Sequence, residues 1–60
     1  MRIHIWYVTD GGALIEVIEK TTTDNNVIDA INTFFKRLKA GIPHAHMTAD
    51  GIPADVIPHI

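Results

Sequence analysis

The sequence predicts an α+β fold in which a small single-layer antiparallel sheet, a β-hairpin plus a C-terminal strand, packs on one amphipathic helix in ββαβ order. Three observations predict it. Two runs rich in β-branched and aromatic residues, Arg2 to Val8 and Ala13 to Lys20, flank Asp10-Gly11-Gly12. Apolar residues recur at helical spacing from Val27 to Leu38. Ile-Pro steps at 42–43, 52–53 and 57–58 then force extended backbone, because the residue before proline avoids helical dihedrals. With 60 residues there is room for one core, so residues 1–60 read as a single domain: hairpin 2–20, helix about 24–39, extended segment 42–60.

The hairpin comes first. Asp10, Gly11 and Gly12 tolerate positive φ and are read as a three-residue loop, which sets Tyr7 opposite Ile15 and Ile5 opposite Val17. That register gathers Ile3, Ile5, Tyr7, Ala13, Ile15 and Val17 on one face for the helix to cover. A two-residue loop would set Glu16 among Ile5 and Tyr7.

Next comes the helix. Thr21-Thr22-Thr23-Asp24 offers a side-chain cap, assigned to Thr23, with the Asp24 carboxylate in the first turn where the helix dipole favours it. Val27, Ile28, Ile31, Phe34, Phe35 and Leu38 form the buried stripe, so both phenylalanines are expected in the core. Asn25, Asp29, Asn32, Lys36, Arg37 and Lys39 are expected to point away, with the cations suiting the last turn and Gly41 followed by Pro43 as the stop. Beyond it, His44 to Ala49 reads as a strand, Asp50-Gly51 as a turn, and 52–60 as an edge strand or an extended arm. The order, with its glycine-rich hairpin turn, resembles the small partial ribonuclease-H-like antitoxin domains in arrangement alone. Nothing about fold or activity is carried over from that likeness.

Composition narrows the chemistry. The chain has neither serine nor cysteine, which removes disulfides, thiolate zinc sites and the commonest nucleophiles. A hydrophobic fraction of 47% is that of a chain that folds, yet no apolar run approaches the roughly 18 residues of a membrane helix, and a cytoplasmic protein without membrane association is expected. A net charge of −2 lacks the positive field of phosphate-backbone binding, so nucleic acid is disfavoured. His44 and His46 would share one face of a strand, as two ligands of a divalent ion can. A third ligand from His4, Asp50, Asp55 or His59 is not selected by any spacing, and the favoured reading is two surface imidazoles with Ala45 and Met47 inward. No catalytic residue, metal site or cofactor is therefore assigned.

The informative oddity is the second hairpin face, where Trp6, Val8, Leu14 and Ile18 stand beside His4 and Glu16. One helix cannot cover both faces. Either the C-terminal segment folds beneath the hairpin, bringing Ile52, Val56, Ile57 and Ile60, or the patch meets another chain. The expected interaction surface is Trp6, Val8, Leu14, Ile18, Val56, Ile57 and Ile60. The expected function is that of a non-enzymatic homodimer that binds another cytoplasmic protein as inhibitor or adaptor. The alternative is a small metal-responsive or nucleic-acid-associated regulator using His44 and His46 or the basic helix end.

Overall fold

A computed structural model describes all residues, 1–60, and gives the elements β1 (Arg2–Val8), β2 (Leu14–Thr21), α1 (Asn25–Gly41), β3 (His46–Ala49) and β4 (Ile52–Pro53). The strands form one antiparallel sheet in the order β2-β1-β3-β4, with the helix on one side. This is the α+β, ββαβ arrangement expected from the sequence, with the second Ile-Pro step adding a two-residue fourth strand.

Turn chemistry sets the strand ends. The Thr9 N–H bonds the Ala13 carbonyl at 2.9 Å and Gly12 takes φ +86°, so Asp10-Gly11-Gly12 is a three-residue loop closed by a left-handed glycine. At the other hairpin Asp50 and Gly51 take φ 52° and 80°, the two positive values of a type I′ turn between Ala49 and Ile52. Arg2 and Asp50 fasten this turn to the sheet: the Arg2 N–H donates to Asp50 Oδ1 at 2.7 Å, and the Asp50 N–H to the Arg2 carbonyl at 2.8 Å.

The register of β1 with β2 departs from expectation halfway along. Val8 faces Leu14, Tyr7 faces Ile15 and Trp6 faces Glu16, but Ile5 faces Ile18 rather than Val17. Val17 is the extra residue of a β-bulge. An unbroken alternation would turn Glu19 towards the helix and Ile18 away from it. The bulge reverses both, so Val17 and Ile18 pack against the core while Glu19 remains on the outer face beside Arg2. Ile18 therefore leaves the outer face to which the sequence reading assigned it.

The helix begins one residue later than read. Asp24, not Thr23, is the cap, its carboxylate accepting from the Asn26 N–H at 2.8 Å, while Thr22 Oγ1 accepts from the Asp24 N–H. The helix runs through Gly41, and Ile42, held at φ −131° by the proline after it, ends it. Lys39 is the one cation of the last turn, and its ammonium lies 5.5 Å from the centre of the Phe35 ring.

Eight residues are buried: Ile3, Ile5, Ile28, Ile31, Phe35, Ala45, Met47 and Ile57. Of the two phenylalanines only Phe35 is core, at 2% exposed; Phe34 is 39% exposed, contrary to the sequence reading. Neighbours on a helix point about 100° apart, so a core centred on Ile28, Ile31 and Phe35 leaves Phe34 on its flank. Tyr7 is half-buried and Ala13 and Ile15 are exposed, contrary to their expected place under the helix. No helix is long and apolar enough to cross a membrane.

Candidate interaction surface

The outer face of the sheet follows from the alternation of β1. With Ile3 and Ile5 buried under the helix, Arg2, His4, Trp6 and Val8 must point the other way. Pairing brings Glu16 and His46 to either side of Trp6, and Glu19 and Thr48 to either side of His4. Two imidazoles contact the Trp6 ring: His4 stacks on it at 4.8 Å between centroids and 24° between planes, and His46 lies at 5.4 Å and 32°. His4 Nε2 is enclosed without a hydrogen-bond partner, 3.7 Å from Glu16 Oε1. Arg2 and Glu19 form an ion pair at one end of the face; the Arg2 hydrogen bond and then its charge, aided by His4, hold the Glu19 carboxyl below the ordinary glutamate range against a small desolvation effect. At the other end Val8 and Leu14, 45% and 57% exposed, continue the apolar surface to the hairpin tip.

The C-terminal segment from Ile57 onward does not cover this face, although Pro53, Ala54 and Asp55 line a cavity with Trp6 and His46. That segment lies against the helix, seated on Asn25, Asp29 and Asn32, three residues that share one helix flank. Asn32 grips Ile57 with both amide atoms, accepting from its N–H at 2.7 Å and donating to its carbonyl at 3.0 Å. Asn25 does the same with Ile60, each bond 3.1 Å, and His59 pairs with Asp29 between them. The sequence reading turned these three helix residues to solvent; Asn25 and Asn32 instead hold backbone, a partner without a residue signature.

The candidate residues thus divide. Trp6, Val8 and Leu14 share the outer face. Ile18 lines an apolar groove on the helix side with Val27, Ala30, Ile31 and Phe34. Ile57 is 1% exposed and belongs to the core, because Asn32 fixes its backbone there, so it offers no surface. Val56 and Ile60 are 55% and 60% exposed on the helix-bound segment, apart from the sheet face. His4 lies on the outer face as the period-two pattern His4-Trp6-Val8 predicts, whereas His46 belongs to it without having been assigned there.

His44 and His46 are not set side by side. His44 precedes β3, its Nε2 3.0 Å from the Val8 carbonyl and its ring edge-on to Tyr7 at 5.8 Å, whereas His46 faces Trp6. No group of three or more His, Asp or Glu side chains converges in a way that could hold a metal ion. No family model matches the chain, and no curated protein and no solved structure matches it.

Proposed function

We propose that this chain is a small non-enzymatic interaction protein of the cytoplasm that acts as a homodimer through the outer face of its sheet and, in that form, binds another protein as an inhibitor or adaptor. One observation carries the reading. The helix occupies one side of the sheet and residues 57–60 are committed to the helix, which leaves Val8 and Leu14 exposed on the other side beside a half-buried Trp6. A sheet face with an aromatic at its centre and charged groups, Arg2, Glu16 and Glu19, at its margin has the composition of an interface core with a polar rim. Chains of this size gain stability by burying such a face, and two-fold pairing of identical faces is the simplest way to do so.

The test is oligomeric state with Trp6 as reporter. At micromolar concentration light scattering should return the mass of two chains, dilution should shift Trp6 emission to longer wavelength, and Trp6→Ser with Leu14→Ser should give a folded monomer. A wild-type monomer over that range whose Trp6 emission does not change with concentration would refute the dimer.

A further inference from the structure

Two asparagines seven positions apart on α1 hold two residues three positions apart on an extended chain, Asn25 with Ile60 and Asn32 with Ile57. The distances match for a geometric reason. Seven helical residues rise roughly 10.5 Å at 1.5 Å each, and three extended residues span about 10 Å. The helix flank is thus a ruler cut to one repeat of extended backbone. Each asparagine satisfies both the N–H and the C=O of the residue it holds, as a neighbouring strand would, although no strand is there.

We propose that Asn25, Asp29 and Asn32 form a seat for an extended peptide, that the chain's own residues 57–60 are its separable occupant, and that the same segment of a second copy binds there in trans.

Three observations support separability. The segment belongs to no strand or helix, and the residues leading into it, Asp55 and Val56, are exposed. Only one of its side chains, Ile57, is buried. Its remaining holds are the two asparagine clasps and the exposed His59–Asp29 pair. An exchange that replaces one chain's segment with its twin preserves every contact and is a low-cost route to association.

The seat also has a readable selectivity. The first position needs an aliphatic side chain of the size of Ile57, which is 1% exposed. The second suits proline, since neither asparagine uses the Pro58 backbone. The third gains from a group that can pair with Asp29, as His59 does. The fourth is read by backbone alone, with the Ile60 side chain 60% in water. This proposal goes beyond the dimer argued above and uses none of its residues, so either can fail without the other.

A labelled synthetic peptide of residues 55–60 stands in for the second copy's segment, and full-length Ile57→Asp, whose own segment cannot hold its anchor site, supplies the open seat. Fluorescence anisotropy should show saturable binding to Ile57→Asp. Binding to the wild type should be at least about tenfold weaker, because the tethered segment competes at high effective concentration. Adding Asn32→Ala to Ile57→Asp should abolish binding, as should Ile57→Asp within the peptide, whereas Ile60→Ala within the peptide should leave it unchanged. Equal binding to all the proteins, or none to an Ile57→Asp chain whose circular dichroism shows an intact helix, would overturn the proposal. Should that variant unfold, hydrogen exchange on the wild type decides the matter. The Ile57 and Ile60 amides should exchange at least about tenfold faster than those of central strand β1, as expected of a locally opening segment. Matching rates would mean that the segment leaves only when the whole chain unfolds, and would overturn the proposal equally.

Discussion

Phe34→Ala and Phe35→Ala, two adjacent truncations of the same side chain, should have very different costs. Phe35 is 2% exposed amid Ile28, Ile31 and Met47, so removing its ring leaves an enclosed void as well as a lost transfer term. Such losses run to about 3–5 kcal/mol. A chain of this length has a total stability of roughly 3–9 kcal/mol at about 0.05–0.15 kcal/mol per residue, so Phe35→Ala should leave the protein marginal or unfolded at room temperature. Phe34, with 39% of its surface in water at the rim of an open groove, retains roughly three-fifths of the ~1.5–3 kcal/mol transfer term and leaves no enclosed cavity, which comes to about 1–2 kcal/mol. Urea denaturation followed by far-ultraviolet circular dichroism measures both, and an unchanged m-value would establish that the two variants unfold through the same transition. If Phe34→Ala cost as much as Phe35→Ala, or Phe35→Ala cost less than about 1 kcal/mol, the placement of the core on the Ile28–Ile31–Phe35 face would be wrong.

Two further outcomes follow from local geometry. Asp24→Ala removes the carboxylate that accepts from the Asn26 N–H and should cost about 1 kcal/mol, with Asp24→Asn recovering most of it; a thermal midpoint identical in all three proteins would deny the cap its role. Because the folded Glu19 carboxyl is held below its ordinary range by Arg2, the stability it lends is present above the unfolded-state pKa and lost as pH falls from there through the folded one. In a carboxylate-resolved NMR titration the Glu19 midpoint should rise on Arg2→Gln; an unmoved midpoint would show that the ion pair is not formed in solution.

Much of the fold was legible because its signals are local. Asp10-Gly11-Gly12 and Asp50-Gly51 can take the positive φ values their turns demand, Ile28, Ile31 and Phe35 keep the helical period, and Pro43 ends the helix that precedes it. Other features depend on tertiary context. The bulge at Val17 was hinted at only by the adjacent apolar pair Val17-Ile18 between Glu16 and Glu19, which no unbroken alternation can place well. Which phenylalanine is central depends on where the sheet meets the helix, a matter of 100° that a hydrophobic stripe does not resolve. Asn25 and Asn32 read as solvent-facing because polarity marks a side chain as satisfiable, not by what; here backbone amides of a distant segment take the place of water. The outer face is legible in the sequence through His4, Trp6, Val8 and Leu14, while His46 becomes part of it only when β3 is laid beside β1.

The central position of β1 has a consequence for how the chain reaches this structure. One edge of β1 is satisfied by β2 after a short loop, but the other waits for β3, where Ile3 pairs with Ala49 across the whole length of the helix. A lone two-stranded hairpin is marginal in water, and closing the longer loop costs entropy before its contacts repay it. Until β3 arrives, the strand carrying Ile3 and Ile5 presents unpaired amides and apolar side chains together, the combination that templates pairing between chains. A chain in which β3 is not paired with β1 therefore exposes the surface most prone to aggregate, and substitutions that weaken the β1–β3 pairing should lower the yield of refolding.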